Sequence, residues 1–277
     1  VVHKICERHG DCGSGLTREE ASPVDEDLDL VYTCLGNCIG NPRLVPKERN
    51  LLSCAPERST VMPETSTAIA DIHMLDSGYS REARSLLYQA YRHEPTYGYL
   101  FEAERPGYEQ RVRATVRELV KQHFLQDLPA IGLLVNDRLI GIALIAPPQR
   151  RLGITESWAW RLRMVLSTGF RCTRRYLEYH DAVMACVPSD SVHLLPLLGI
   201  HPQFQGKHFG EQLLQAVHNW CAVDEHSQGV VLDTGNPRYL EFYKRQGYEE
   251  IGEVAVGPIR EHVFFHANPQ VLQTATA

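Results

Sequence analysis

The chain has 277 residues, of which 43% are hydrophobic and 22% charged, and its formal net charge at pH 7 is −6. An acidic chain is not expected to hold nucleic acid by bulk electrostatics. No apolar stretch approaches the roughly 18 residues that cross a bilayer, so no membrane partner is expected either. Because the N-terminus shows no signal-peptide pattern, we expect a cytoplasmic globular protein of one large or two small domains.

Residues 1–61 show no sustained helical or strand period. Glycines and prolines interrupt the segment, and it contains the acidic run Asp25-Glu26-Asp27. This composition is typical of an irregular or disordered extension. We expect the folded domain to cover residues 62–277, with its core at about 67–267. The first methionine is Met62, so a misplaced start site is one hypothesis for the extension, and whether it belongs to the mature protein is open.

The chain contains eight cysteines, and their spacing bears on metal binding. Cys34 and Cys38 are spaced like a chelating pair, but no second close Cys/His pair completes a zinc ligand set of known spacing. We therefore expect no metal. The three later cysteines fall in apolar helical patterns and are expected to be reduced: Cys172, Cys186 and Cys221.

The regular pattern begins near Thr67. An alternating strand is predicted over 68–74, followed by a helix with Ser80 as a plausible N-cap and apolar residues at helical spacing from Ala83 to Tyr91. A turn rich in Pro, Gly and Tyr (94–107) leads to a second helix over 112–124. The next two apolar runs, 130–135 and 138–146, flank a tight polar turn and predict a hairpin.

A helical insertion is predicted at about 149–187. It is rich in arginine, and an apolar stripe of Trp158, Leu162, Val165 and Leu166 indicates an amphipathic pair of helices. One interpretation gives these helices a solvated basic face, and the alternative is a basic wall that binds substrate. The arginines in question are Arg161, Arg163, Arg171, Arg174 and Arg175.

Strands and helices alternate through the rest of the chain. Strands are predicted at 191–200, 229–233, 248–256 and 259–265, and helices at 209–225 and 236–246. The last helix has Asn236 as its N-cap, Pro237 in its first turn and Gly247 at its end. Strands alternating with helices, with hairpins at both ends, predict an α/β (α+β) fold around a mixed sheet.

The segment 194–214 contains the predicted ligand-binding loop. An apolar strand leads into a glycine-bearing loop and then into an amphipathic helix. Free amide N–H groups at a helix N-terminus, with the helix dipole behind them, form a site for phosphate. Gly206 and Gly210 allow the backbone to approach a ligand, and Lys207 adds a cation. The loop is neither a Walker A loop nor a dinucleotide-binding fingerprint.

Two segments resemble the GNAT N-acetyltransferase family. The loop 205–210, Gln-Gly-Lys-His-Phe-Gly, is similar to the acetyl-CoA-binding motif Gln/Arg-x-x-Gly-x-Gly/Ala of that family, with His208 in place of the first motif glycine. The segment 236–248, from Asn236 to Tyr248, resembles the downstream Asn…Tyr…Gly-Phe segment of the family. The resemblance covers roughly residues 67–267. It implies the GNAT fold, a central, mostly antiparallel twisted sheet flanked by helices, with the insertion lying before the fourth strand.

The resemblance also implies roles for particular residues. Backbone groups on a strand splayed from its neighbour would bind pantetheine, the loop amides would bind the pyrophosphate, and Asn236 would contact the cofactor arm. Tyr243 would be the general acid for the leaving thiolate, and packing against the sheet is its alternative role. The implied cofactor-binding residues are Leu198, Gly199, Ile200, Gln205, Gly206, Lys207, His208, Phe209, Gly210 and Asn236.

The general base is left open by the sequence. His193 is the first choice, because it flanks the central strand and neutral imidazole can accept a proton. His201, Glu156 and Asp181 are alternatives, and so is a water molecule, through which many members of the family deprotonate the amine.

The expected function is transfer of an acetyl group from acetyl-CoA, as co-substrate, to a primary amine of a small molecule or peptide by direct transfer in a ternary complex. A non-catalytic module that binds or senses acyl-CoA is the alternative, and a resistance enzyme that acetylates a drug is a third interpretation. An acidic lining would favour a polyamine or aminoglycoside acceptor, whereas the arginines of the insertion would favour an anionic one. A homodimer is an open question.

Overall fold

A computed structural model describes residues 70–148 and 158–271 of the chain. The predicted extension 1–61 lies outside the described residues, and so do its five cysteines. The three cysteines that are described, Cys172, Cys186 and Cys221, are free thiols, as expected. Within the described ranges, no helix is long and apolar enough to span a bilayer.

The described residues form strands and helices that alternate along most of the chain. Two short 3-10 helices, Ser77–Tyr79 and Pro202–Phe204, complete the regular structure of the described part. The elements are β1 (Asp71–Met74), α1 (Ser80–Tyr91), α2 (Pro95–Leu100), α3 (Tyr108–Leu125), β2 (Ala130–Val135), β3 (Arg138–Ala146), α4 (Trp158–Thr168), α5 (Phe170–Cys186), β4 (His193–Ile200), α6 (Phe209–Ala222), β5 (Gly229–Thr234), α7 (Pro237–Arg245), β6 (Glu249–Val256) and β7 (Ile259–Ala267).

The strands form one seven-stranded sheet in the order β1-β2-β3-β4-β5-β7-β6. All neighbours pair antiparallel except β4 and β5, which are parallel. A parallel pair needs a crossover connection, and α6 supplies it. The predicted mixed, mostly antiparallel sheet flanked by helices is therefore confirmed.

Two large hydrophobic cores and a smaller cluster of Val183, Val192, Val231 and Val263 stabilise the sheet. The larger joins α1, α3, α4 and α5 to β3, with Leu87, Val116 and Trp160 among its buried members. The other joins α6 and α7 to the sheet around Leu213, Val217 and Phe264. Burying a large apolar side chain contributes roughly 1.5–3 kcal/mol. The two cores therefore hold the central strands between two layers of helices.

The parallel pair separates along its length. β4 and β5 are paired only at His193 with Val230 and at Leu194 with Val231. Beyond these residues, 195–200 of β4 continue beside β3 alone. The predicted splay of the fourth strand is therefore confirmed, and it leaves a gap between the central strands.

Three local predictions differ from the structure. The turn predicted over 94–107 contains α2, which begins with Pro95 at its first position, where the fixed φ of proline suits a helix. In α4 the predicted apolar stripe is wrong: Trp158, Leu162 and Leu166 are exposed, and the buried side chains are those of Trp160, Met164 and Thr168. The first strand does not alternate, because all four residues of β1 are exposed.

Candidate functional site

A cavity of about 420 Å³ extends along the gap between β4 and β5. Its walls come from β4, the end of β5 and the loop that precedes α6. Parts of α1, α2, α5, α6, α7 and β7 and the loop between α1 and α2 complete them. A cavity of this size is typical of a small-molecule site. The splay of the parallel pair thus creates the space in which a ligand can contact the backbone of β4.

One end of the cavity is formed by the loop predicted to bind phosphate. Gly206 and His208 both have left-handed backbone conformations, with φ of 74° and 64°. His208 is the residue that precedes α6, so the first N–H groups of the helix follow it directly. His208 therefore adopts a positive φ although it replaces a glycine of the family motif. Its Nδ1 lies 3.0 Å from Oε2 of Glu211, which also lines the cavity.

Seven of the ten residues predicted to bind the cofactor line this cavity: Leu198, Gly199, Ile200, Gln205, Gly206, His208 and Gly210. The other three do not. Phe209 is buried in the core beneath α6, and the Nζ of Lys207 lies 5.4 Å from the centroid of the Phe204 ring. Asn236 is not a lining residue, but it bonds Glu94, which is.

The middle of β4 presents polar backbone groups to the cavity wall. The Tyr91 hydroxyl accepts a hydrogen bond from the Leu198 N–H (3.1 Å) and lies 3.2 Å from the Leu198 carbonyl oxygen, to which it donates. Gly199 is close to α1, because a Cβ at this position would lie 2.9 Å from the Cβ of Ala90. α1 therefore fixes the position of this part of β4.

Tyr243 lies on α7 and lines the cavity opposite β4. The residue is only 8% exposed. Burial raises the pKa of its hydroxyl above the ordinary value, and the neighbouring Tyr239, Glu94 and Asp233 raise it further. At neutral pH Tyr243 is therefore a neutral phenol that keeps a proton to donate.

Asn236 connects the start of α7 to a carboxylate of the cavity. Its Oδ1 accepts a hydrogen bond from the backbone N–H of Arg238 (3.2 Å), which makes it the N-cap of α7. Its Nδ2 lies 3.2 and 3.1 Å from the two carboxylate oxygens of Glu94. Burial raises the pKa of Glu94, and this bond and Arg238 oppose that shift. Asn236 therefore positions Glu94, which lines the cavity.

The other end of the cavity contains two neighbouring carboxyl groups. Asp233, near the end of β5, accepts a hydrogen bond from the Tyr179 hydroxyl. Glu261 of β7 accepts one from Thr96 Oγ1 at 2.5 Å. Glu261 is 2% exposed; burial and the adjacent Asp233 raise its pKa to about 9. The pKa of Asp233 is raised by burial as well. Asp233 pairs with Val263 across β5 and β7, so Glu261, two residues along β7, lies on the same face of the sheet.

The histidines predicted as bases lie elsewhere. His193, at the start of β4, is buried between Ser227, whose Oγ is 2.7 Å from its Nδ1, and the Trp220 ring. Burial lowers its pKa, which Asp224 opposes. His201 accepts a hydrogen bond from the Gln203 N–H (3.3 Å) at the end of β4. Neither lines the cavity, nor does the exposed Asp181, and Glu156 is outside the described residues.

Four described arginines of the insertion pair with carboxylates: Arg163, Arg171, Arg174 and Arg175. Arg163 contacts Glu118 at 2.8 Å, and Arg171 contacts Glu102 at 3.2 Å. Among the described residues of the insertion, no arginine lines the cavity, whereas Tyr176 and Tyr179 of α5 do. The described part of the insertion therefore supplies an aromatic wall to the site and not a basic one.

One group of three possible metal ligands lies in the described part of the chain, outside the cavity. Ligand atoms of Glu250, Glu253 and His262 lie within 4.8 Å of one another on β6 and β7. Hydrogen bonds already engage them: His262 Nδ1 is 2.8 Å from Glu250, and Arg260 donates to Glu253 at 3.2 Å. They do not line the cavity.

Sequence reasoning missed four acidic residues of the cavity, of which Glu211 follows the predicted loop and the other three lie elsewhere. Glu94 precedes a proline in what the pattern predicts to be a turn, and Glu261 stands in a strand with no motif around it. Asp233 could have been predicted from the sequence. It stands at the carboxyl end of a short buried strand, and ligands of α/β sheets bind at the carboxyl ends of strands.

Comparisons with known proteins agree with this geometry. Residues 175–250 match the family model of the acetyltransferase (GNAT) domain. Among solved structures, the polyamine N-acetyltransferase of Drosophila melanogaster superposes with a TM-score of 0.53 and 16% identity, covering 72% of this chain and 100% of that one. The histone acetyltransferase HPA2 and related acetyltransferase from Corynebacterium glutamicum ATCC 13032 superposes with a TM-score of 0.52 and 14% identity, and the match covers 72% of this chain and 96% of that one. An agmatine N-acetyltransferase superposes with a TM-score of 0.52 and 16% identity, and the match covers 71% of this chain and 99% of that one.

No curated protein sequence matches the chain. At these identities the solved structures establish the fold, and the matched model covers β4, the loop before α6, α6, β5 and α7, which form part of the cavity wall. Residues 175–250 therefore match a GNAT acetyltransferase domain, and the described part of the chain shares its fold with solved acetyltransferases.

Proposed function

We propose that this protein transfers an acetyl group from acetyl-CoA to a primary amine of a small-molecule or peptide acceptor. One observation carries the proposal. A single cavity runs from the amides that precede α6, along the free part of β4, to Tyr243 and the carboxylates beyond it. A thioester and an amine can therefore occupy it together, as direct transfer in a ternary complex requires.

The phosphate-binding end would anchor the coenzyme. The N–H groups of the loop 206–210 converge at the start of α6, where the helix dipole favours an anion. Pantetheine would then lie along residues 198–200 in the gap, with its polar groups close to the backbone of β4 and to the Tyr91 hydroxyl. This placement brings the sulfur toward Tyr243.

The reaction needs a neutral amine and a protonated leaving group. The amine nitrogen would attack the thioester carbonyl, the C–S bond would break, and the Tyr243 hydroxyl would donate its proton to the thiolate. Backbone N–H groups of β4 would stabilise the negative charge that develops on the carbonyl oxygen.

Glu94 is our proposal for the group that accepts the proton of the amine. It lines the cavity, Asn236 holds its carboxylate, and its raised pKa makes it a stronger base than an exposed glutamate. The proposal leaves out His193, because that side chain is bonded to Ser227 away from the cavity.

The fold relatives are compatible with an amine acceptor. The Drosophila enzyme forms N-acetylagmatine, and another solved relative is an agmatine N-acetyltransferase. We extend amine acetylation, but no particular substrate, from these proteins to this chain.

Calorimetry with CoA and a thiol-release assay with acetyl-CoA and a panel of amines test this function. We expect CoA to bind at one site and thiol to be released only when an amine is present. Binding without release for any amine would favour the alternative, a module that senses acyl-CoA. Absence of both at high protein concentration would overturn the proposal.

A further inference from the structure

The acceptor end of the cavity has an unusual charge. Four carboxyl groups line the cavity as a whole, Glu94, Glu211, Asp233 and Glu261, whereas Arg245 is the one Lys or Arg among its described lining residues. Glu211 belongs to α6 and faces His208 at the phosphate end. The remaining three carboxyl groups come from the far side, where no described lysine or arginine faces the cavity.

Two of these groups, Asp233 and Glu261, form what we term the acid pair. Each already receives one neutral hydroxyl, from Tyr179 and Thr96 respectively. The backbone is crowded around them, since a Cβ on Gly235 would lie 2.2 Å from Thr96 Oγ1 and 2.5 Å from Glu261 Oε2. The acid pair is therefore held in one place by neighbours that do not neutralise its charge.

Two adjacent buried carboxyl groups without a cation destabilise a protein, because burial disfavours the charged forms and like charges repel. One proton shared within the pair relieves the repulsion, and the raised pKa of Glu261 agrees with such a proton. A structural role gives no reason for this cost. Perturbed carboxyl groups in a cleft are typical of binding and catalytic sites.

We propose that the acid pair binds a second cationic group of the acceptor, so that the preferred acceptor is a short dication with one amine to acetylate and another positive group farther along. This inference rests on the proposed function. The amine to be acetylated would lie near Tyr243 and Glu94, and the second cation would lie between Asp233 and Glu261. Tyr97, Tyr176 and Tyr179 would enclose the connecting chain, since all three line this end.

Binding of the second cation would displace the shared proton. The cation then replaces the proton as the partner of both carboxylates, and the proton is released to solvent. Other titratable groups that act on the acid pair come from the surrounding elements, and besides Glu94 they are Tyr91, Tyr97, Tyr176, Tyr179, His180 and Tyr243. The tyrosines keep their protons because burial raises their pKa values, so Glu261 is the expected source of the released proton.

The experiment compares diaminobutane with butylamine as acceptors of the full-length protein at saturating acetyl-CoA. We expect kcat/KM to be at least about tenfold higher for diaminobutane. Glu261→Gln should lower kcat/KM for diaminobutane about tenfold or more and change that for butylamine little. Asp233→Asn should lower the value for diaminobutane more than that for butylamine, because Asp233 also raises the pKa of Tyr243. Asp181→Asn is the matched control, because it removes an exposed carboxylate of α5 outside the cavity.

Calorimetry gives a second readout that does not need turnover. Diaminobutane should bind to the protein saturated with CoA, and its binding enthalpy should vary with the ionisation enthalpy of the buffer, as proton release requires. Circular dichroism of each variant checks that it is folded.

Equal kcat/KM values for the two amines would overturn the proposal that the acceptor is a dication, and so would variants that lose kcat/KM equally for both amines. Either result would leave amine acetylation intact. Failure of CoA to bind would instead refute the proposed function. If no amine is acetylated, calorimetry decides the proposal for the acid pair. Absence of diaminobutane binding would overturn it, and binding with proton release would support it.

Discussion

At the scale of single residues, Tyr243 has the state that a general acid needs. Its hydroxyl is buried at the cavity wall, and its neighbours Glu94 and Asp233 are acidic, so loss of its proton is strongly disfavoured in the resting protein. A thiolate leaving group that forms beside it would take that proton. The same side chain also packs on Tyr248 and Phe264, so its geometry is fixed by aromatic contacts.

We predict that Tyr243→Phe lowers kcat by roughly 10²- to 10⁴-fold, the range for loss of a general acid. The dissociation constant of CoA should hardly change, because the ring and its packing remain. Steady-state kinetics and calorimetry measure the two quantities. Tyr248→Phe is the control: its hydroxyl bonds His218 at 2.9 Å away from the cavity, so stability and not kcat should respond. Equal kcat losses in both variants would refute the role of Tyr243.

At the scale of elements, the loop that leads into α6 determines where the helix amides point. It turns through two left-handed residues, of which one is a glycine and the other is His208. A non-glycine residue in this region costs roughly 1–2 kcal/mol. The chain therefore maintains at His208 a conformation that glycine adopts at lower cost.

We predict opposite effects for two substitutions in this loop. Gly206→Ala should lower the free energy of unfolding by about 1 kcal/mol, since its φ is 74°. A Cβ there meets no atom within 4 Å, so only backbone strain is added. His208→Gly should be neutral or stabilising by up to about 1 kcal/mol, because strain is relieved while the exposed pair with Glu211 is lost. Urea unfolding measures both values, and a large loss of stability in His208→Gly would contradict this account.

Elements were predictable where a local pattern decided the outcome. The hairpin of β2 and β3 follows from the Asn136-Asp137 turn, and both residues do have positive φ, 52° and 59°. The buried face of α4 was not predictable in the same way. Its stripe of Trp158, Leu162 and Leu166 has helical spacing, yet the packing of α4 on α3 buries the face that contains Trp160 and Met164. Periodicity identifies a helix, and the neighbouring helices select its buried side.

At the scale of the whole molecule, the two ends of the cavity differ in how far the sequence can predict them. The end formed by the loop before α6 is one continuous segment, so its loop, helix start and glycines could be predicted directly from the sequence. The acidic end brings together α2, α5, β5 and β7, and the hydrogen bond from Thr96 to Glu261 joins residues 165 positions apart. Such contacts depend on strand order, which no local pattern contains.

The acid pair also makes global stability depend on pH. Burial raises the folded-state pKa of Glu261 above its ordinary value of 4.5. The folded protein therefore binds this proton more tightly than the unfolded chain does. The associated stabilisation is complete below pH 4.5 and decreases as pH rises through the folded-state pKa, because deprotonation leaves two buried like charges.

We predict that the free energy of unfolding decreases with rising pH between about pH 7 and 9, a range in which the buried histidines with lowered pKa values are already neutral, and that Glu261→Gln removes at least about 1 kcal/mol of that decrease. The amide of glutamine can donate to Asp233 as the protonated carboxyl does, and it does not ionise. Urea unfolding at several pH values measures the two slopes. Glu241→Gln, at an exposed glutamate on α7 whose carboxylate lies 3.4 Å from Lys244, should keep the wild-type slope. If Glu261→Gln has that slope too, Glu261 is ionised in the folded protein, and the pair offers two negative charges without a shared proton.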